Sequence, residues 1–222
     1  MGEIKFENLS IPILKANELI ANKLREKWDK EKTFVINFIS SPGAGKTSLI
    51  EKILNYFKEF KLIVLVGDIE TERDAERIRK KGFESIQIIT GGACHLEAVM
   101  IEQVISKLKN RYDFIFIENV GNLVCPSVYN LGENLRFTLL SVPEGDDKPK
   151  KYPRAFLTSN AFIITKIDLL TYLPFDLENV KKEAKEINPS LKIFETSALK
   201  EIGIEEVCNF IKEERENWIK RI

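Results

Sequence analysis

Two groups of residues in this 222-residue chain have the types and spacing to do chemistry. The first is Ser40-Ser41-Pro42-Gly43-Ala44-Gly45-Lys46-Thr47-Ser48. It follows a β-branched and aromatic run, residues 33–39, that reads as a buried strand, and it continues into Leu49, Ile50, Ile53 and Leu54 at helical spacing. Strand, glycine-bearing loop, Lys-Thr and helix together make a cradle for phosphate, with residues 43–48 as its binding backbone. Gly43 and Gly45 let the main chain approach phosphate oxygens across Ala44, and the amides of the helix N-terminus, Ser48 included, point inward. Lys46 adds a full positive charge and Thr47 a hydroxyl for Mg²⁺. The consensus pattern opens with Gly, and here that position is Ser40. The second group is Cys94-His95, which contains the chain's one histidine. Thiolate and imidazole are ligands that Zn²⁺ and Ni²⁺ prefer, and a helix predicted to start there would lower the thiol pKa. The alternative is a small buried thiol beside a capping imidazole. Cys208 falls on the apolar stripe of the last helix and reads as structural.

These groups must be positioned by alternating strands and helices. Buried runs predict strands over 33–39, 61–67, 85–90, 112–117, 136–142, 162–165 and 191–196, with helices between most of them. Such alternation predicts an α/β fold, a three-layer P-loop NTPase with a mostly parallel sheet of about seven strands. Ser10-Ile11-Pro12 reads as the start of an additional N-terminal helix reaching about Lys30, so 1–222 is a single domain in which 4–30 is a helical extension. A charged helix opens at Thr71-Glu72-Arg73-Asp74. Residues 143–153 show no apolar periodicity and read as a functional loop or mobile connection.

Ligands of open parallel sheets bind beyond the carboxyl ends of the strands, and Asp68, Glu118, Lys166, Asp168 and Ser197-Ala198 each follow a predicted strand. Glu118-Asn119-Val120-Gly121 resembles the DxxG element of GTPases: its carboxylate would hold Mg²⁺ and the Gly121 amide would meet the γ-phosphate. Thr165-Lys166-Ile167-Asp168 resembles NKxD. A carboxylate at Asp168 accepts both N1–H and the exocyclic amine of guanine, a pair adenine does not offer, while Lys166 lays its stem along the base. Ser197-Ala198 resembles the loop that offers amides to the guanine carbonyl. Asp68 and Asp74 fall where a switch segment belongs, and Asp74 would alternatively close a capping box with Thr71. No Gln follows Gly121, so intrinsic turnover is expected to be slow.

Composition narrows the class. Lys+Arg and Asp+Glu both number 34, so the net charge of zero gives no reason to expect nucleic acid. No run is long enough to span a bilayer, and three cysteines are too few for a disulfide framework; a cytoplasmic protein is expected.

The stretches GGACHLEA, ENVGNLVCP and EGDDKPKKYP, with SSPGAGKT and TKID, resemble the HypB family of hydrogenase nickel-incorporation GTPases over nearly the whole chain. The resemblance implies a SIMIBI-class (signal-recognition/MinD-like) GTPase, a GTP-dependent homodimer that works with hydrogenase maturation partner proteins. It implies GTP, Mg²⁺ and Ni²⁺ or Zn²⁺ as cofactors, with Cys94, His95 and Cys125 as ligands of the transition metal and Thr47, Asp68 and Glu118 around Mg²⁺. The catalytic set it implies is Lys46, Thr47, Asp68, Asp74, Glu118 and Gly121. A Cys-rich N-terminal motif and a His-rich stretch, common in the family, are not seen, so nickel storage of that kind is not expected. Urease-type nickel GTPases are the nearest alternative, but they carry Cys-Pro-His where this chain has Cys94-His95-Leu96. Beyond these stand a non-catalytic scaffold with GTP as a ligand and a small-molecule kinase.

Overall fold

A computed structural model describes residues 7–70 and 73–222, with side chains from Pro12 onward. Seven strands form one sheet: β1 (Phe34–Ser40), β2 (Leu62–Asp68), β3 (Glu84–Ile89), β4 (Phe114–Gly121), β5 (Leu135–Ser141), β6 (Ala161–Thr165) and β7 (Lys192–Glu195). Their order is β3-β2-β4-β1-β5-β6-β7, and every neighbouring pair is parallel. Six strands match the sequence-based ranges to within one residue at either end. The fourth does not stop at Ile117 but runs on through Glu118 to Gly121. As a central strand it keeps pairing with β1 past its apolar run, and the register slips between Phe38↔Glu118 and Ser40↔Gly121. That bulge sets Asn119 and Val120 against a single residue of β1.

Alternate residues of each strand feed two cores. On one face Phe34, Phe38, Phe114, Phe116 and Phe137 pack beneath α2 (Lys46–Leu54), α3 (Arg73–Lys80) and α8 (Ile204–Ile219). On the other, Val35, Leu65 and Ile117 lie beneath α1 (Glu7–Glu31) and α4 (Ala98–Lys107), and Phe162 and Ile164 lie beneath α6 (Pro153–Leu157) and α7 (Leu177–Ile187). Three layers result.

The N-terminal helix runs from Glu7, so Ser10 lies within it and is not its N-cap, and Pro12 sits inside it; residues 4–6 lie outside what the structure describes. Trp28, Leu24 and Ala21 bury against the sheet, so α1 belongs to this domain's own core. Asn17 ties it down twice: its Nδ2 donates to Asn130 O at 2.7 Å and its Oδ1 accepts from Ala98 N at 2.8 Å, satisfying an amide of the first turn of α4.

Residues 143–153 are not a loose loop. They form a 3-10 turn, Val142–Glu144, the short helix α5 (Lys148–Lys151) and the start of α6. Ser141 and Glu144 make a capping box, and Pro149 is buried. Helices of four and five residues are too short to print a 3.6-residue period.

Candidate functional site: a phosphate cleft beside a thiol–imidazole cluster

The loop between β1 and α2 needs left-handed backbone at two points, Gly43 (φ 76°) and Gly45 (φ 90°). A side chain at either would be strained, and Gly45 is the N-cap of α2, so the helix opens on Lys46 and Thr47 with its amides free. A cleft of about 500 Å³ lies over this turn, bounded by Gly43, Gly45, Lys46, Thr47, Ser48, Asp68, Asp74, Glu118, Gly121 and Lys166. The residues expected to catalyse thus converge on one space. Gly121 closes against the loop: a Cβ there would stand 3.1 Å from Pro42 Cα, which leaves little room for any larger residue.

Two charged groups of the cleft, Lys46 and Glu118, are buried. The Lys46 ammonium is held below its ordinary pKa by burial, against the opposing pull of Glu118, and its Nζ donates to Ser40 Oγ at 2.9 Å. The departure from Gly at position 40 therefore has a role here: a hydroxyl that receives the lysine. Thr47 Oγ1 donates to Glu118 Oε1 at 2.6 Å, while Glu118 Oε2 is buried with no hydrogen-bond partner among the described residues. Burial pushes the Glu118 carboxyl up to about 7, with Lys46 and Thr47 opposing. An orphaned carboxylate oxygen next to a threonine hydroxyl is a donor set that fits Mg²⁺. Asp68 ends β2 with Oδ1 accepting from Glu70 N at 3.0 Å, and Asp74 accepts from Arg77 Nη1 at 3.3 Å. Thr71, the other half of the expected capping box, lies outside the described residues. Arg77, which sequence reading overlooked, also reaches Ser48 Oγ at 3.1 Å and borders the cleft.

The raised Glu118 carboxyl has a consequence for stability. Its folded pKa of about 7 exceeds the ordinary 4.5, so between these values the folded chain binds more protons than the unfolded one. Stability from this group is greatest at low pH and is lost as pH rises through about 7. Glu118→Gln should therefore stabilise the metal-free, nucleotide-free protein above that pH, by an amount on the order of a few kcal/mol, and bring little gain in acid. Denaturant unfolding of both proteins at the two extremes checks it; an equal difference at both would mean that the carboxyl is not perturbed.

A second recess of about 310 Å³ adjoins the cleft, lined by Gly45, Lys166, Asp168 and Ala198 among others. Lys166 is left-handed (φ 59°), which ends β6 sharply and lets Nζ donate to Gly43 O at 2.8 Å. Thr165, standing where Asn is usual, donates from Oγ1 to Ala44 O at 2.6 Å. The two bonds tie the base-side loop to the phosphate loop. Ser197 Oγ donates to Asp168 Oδ1 and accepts from Lys200 N, which orients the carboxylate.

The second chemical group assembles from two loops. Cys94 Sγ lies 3.0 Å from Cys125 Sγ and 3.8 Å from His95 Nδ1; one ligand atom from each of the three residues falls within 4.8 Å of the others. Cys94 is not at a helix N-terminus as expected, because α4 starts only at Ala98. Leu96 is buried over Gly67, where a Cβ would approach it to 2.8 Å, and its amide donates to Asn119 Oδ1. That anchoring fixes the path of the segment, which bends at Cys94 and His95 and turns helical only at Ala98. Burial lowers the His95 pKa, which favours the neutral imidazole that metals bind. The Cys125 thiol is raised by its hydrogen bond with Cys94, then by burial. Two thiols and an imidazole this close fit Ni²⁺ or Zn²⁺ and leave a fourth tetrahedral position open. The Tyr129 ring stacks on His95 at 3.9 Å between centroids; no sequence signal reveals this, since it depends on the path of the loop after β4. Cys208 is buried in the first core, and burial pushes its thiol up to about 12, in keeping with a structural role.

The model of the CobW/HypB/UreG nucleotide-binding domain matches residues 34–195. The hydrogenase/urease maturation factor HypB of Helicobacter pylori is 47% identical over 212 residues, which cover 93% of this chain and 87% of that protein. The chain belongs to the HypB family. The crystal structure of Helicobacter pylori HypB in complex with nickel superposes with a TM-score of 0.87 at 46% identity, covering 91% of this chain and 97% of that one. The signal recognition particle receptor FtsY of Elizabethkingia anophelis shares the fold alone, at 14% identity and a TM-score of 0.56 over 88% of this chain and 72% of its own. A HypB-family nucleotide-binding domain on a SIMIBI-type sheet is thus the frame for both the cleft and the cluster.

Proposed function

We propose that this protein is a GTP-hydrolysing switch that assists nickel insertion during [NiFe]-hydrogenase maturation, handling the metal at Cys94, His95 and Cys125. The observation that carries this reading is continuity: Glu118 of the cleft and Cys125 of the cluster lie on β4 and the turn that follows it. The maturation role of the Helicobacter pylori relative and the nickel in its solved structure support the assignment. That relative is described for both hydrogenase and urease; Cys94-His95-Leu96, in place of the Cys-Pro-His of urease-type nickel GTPases, favours hydrogenase.

GTP is bound with its phosphates over Gly43–Ser48 and its base against Lys166, Asp168, Ser197 and Ala198. Mg²⁺, when bound, supplies positive charge to the β- and γ-phosphates; Thr47 and Glu118 would hold it, with Asp68 directly or through water. Lys46 leaves Ser40 for the phosphate oxygens. Asp68 or Asp74 orients the attacking water, and turnover is slow because no Gln stands there; Asn122 is occupied, its Oδ1 accepting from Val124 N at 2.7 Å. Three ligands per protomer leave a closed site one short, whereas two protomers meeting at the cluster supply six donors. The working unit is accordingly a GTP-dependent homodimer acting with hydrogenase maturation partners in the cytoplasm. Among the described residues no helix is long and apolar enough to cross a membrane.

Single-turnover GTP hydrolysis by the full chain, with ATP as competitor, tests the reading. Cleavage of bound GTP in the presence of excess ATP is expected. Tight binding without cleavage would mark a scaffold. Base choice has its own test: Asp168→Asn should weaken GTP binding by roughly 10- to 100-fold, because an amide matches only one of guanine's two donors. Unchanged affinity would remove Asp168 from the base site.

A further inference from the structure

A chain of buried polar side chains crosses the sheet between the two metal-ligand loops, and neither nucleotide nor metal chemistry accounts for it. It begins at Asn119 in the β4 bulge, beside Glu118. Asn119 Oδ1 accepts from Leu96 N at 3.1 Å and from Val120 N at 2.9 Å, joining the loop of His95 to the segment that ends in Gly121. Its Nδ2 donates to Asn37 Oδ1 on β1 at 3.2 Å, and Asn37 Nδ2 donates to Glu133 Oε1 at 3.1 Å. Glu133 Oε1 also accepts from Arg136 Nε at 2.8 Å. The Arg136 guanidinium then donates to Ser127 O at 3.1 Å and to Tyr129 O at 3.0 Å, both on the loop of Cys125. Both ends reach His95: one holds the amide of the next residue, the other the backbone of the tyrosine whose ring stacks on it.

Each member is out of water. Asn37 is fully buried, Asn119 is 1% exposed, and the side chains of Glu133 and Arg136 are 5% and 8% exposed. Breaking one link therefore strands a donor, an acceptor or a charge that has no solvent to turn to. A chain of this kind has few arrangements that satisfy every member, so a shift of β4 at one end is met by a shift of the loops at the other.

We propose that Asn119, Asn37, Glu133 and Arg136 form a positioning relay that transmits the state of the β4 segment at the phosphate cleft to the geometry of Cys94, His95 and Cys125. The inference rests on the nucleotide–metal coupling proposed above. Asn37 is the informative member, since it touches neither the cleft nor the cluster.

The experiment is Ni²⁺ titration of the full chain with a non-hydrolysable GTP analogue and with GDP, read by affinity and by thiolate-to-nickel charge-transfer absorption. Parent and Asn37→Val are compared. Thr138→Val serves as a control of equal burial, because Thr138 bonds Ala155 O and Ser159 Oγ and reaches neither loop. The parent should show a nucleotide-dependent affinity ratio of roughly 5- to 150-fold and a nucleotide-dependent spectrum. Thr138→Val should keep both. Asn37→Val should still bind GTP, but its ratio should collapse to within about twofold of unity and its spectrum should become the same in both states. Asn37→Ser, polar but too short to span Asn119 and Glu133, should behave likewise and serves if the valine variant does not fold. Parent-like coupling in the Asn37 variants would overturn the relay while leaving the switch intact. Loss of coupling in Thr138→Val as well would also overturn it, by showing that any buried defect suffices. No coupling in the parent would overturn the relay and the switch together.

Discussion

Lys46→Ala is expected to lose at least about 10²-fold in single-turnover GTP hydrolysis, the cost of removing one preorganised charge from a transition state that gathers negative charge. The expectation rests on where the lysine is held. It stands in the first turn of α2, 8% exposed, beside Glu118 and bonded to Ser40. Burial lowers its pKa, and the negative charge of a polyphosphate would oppose that shift. Alanine suits a helix, and among the described residues the one side-chain hydrogen bond of Lys46 is to the Ser40 hydroxyl, so the fold itself should tolerate the change. Rapid-quench measurement with radiolabelled GTP, alongside a check of thermal unfolding, separates lost chemistry from lost fold. An unchanged cleavage rate in a folded variant would move the active site elsewhere.

The second large effect concerns the metal. Cys94→Ala/Cys125→Ala should lose bound Ni²⁺ or Zn²⁺ altogether, whereas Cys208→Ala should retain it. Cys94 and Cys125 present sulfurs 3.0 Å apart next to the imidazole; Cys208 points into the core under α8. GTP affinity should survive in the double variant, because neither thiol borders the phosphate cleft or the base recess. Equilibrium dialysis with metal analysis, paired with nucleotide binding, checks both halves. Metal retained by the double variant would assign the site to other ligands.

What the sequence made legible follows from how strongly each feature is written in local pattern. The β-branched and aromatic runs announce strands because a parallel sheet buries both faces, and the glycines of the phosphate loop are demanded by left-handed backbone. Glu118, read as lying beyond β4, is inside it; a bulge depends on pairing with β1, which no window of β4 alone contains. Cys94 and His95 were legible as candidate ligands, but not the bent, non-helical backbone that carries them, whose path is fixed by Leu96 packing over Gly67 and bonding Asn119. Tyr129 and the Asn37–Glu133–Arg136 chain were illegible for the same reason: their partners are distant in sequence, and isolated polar residues in strands carry no period. Residues 143–153 read as a loop because their helices are too brief for an amphipathic stripe, although Pro149 and Pro153 sit in helix first turns.

In the proposed switch, nucleotide state sets metal affinity. Its most direct measurement is the Ni²⁺ dissociation constant of the parent protein with a non-hydrolysable GTP analogue bound and with GDP bound, Mg²⁺ present throughout. The two constants should differ by roughly 5- to 150-fold, with a reciprocal change of the same factor in nucleotide affinity when nickel is added. Equal nickel affinity in the two states would contradict it, even if both sites bind their ligands.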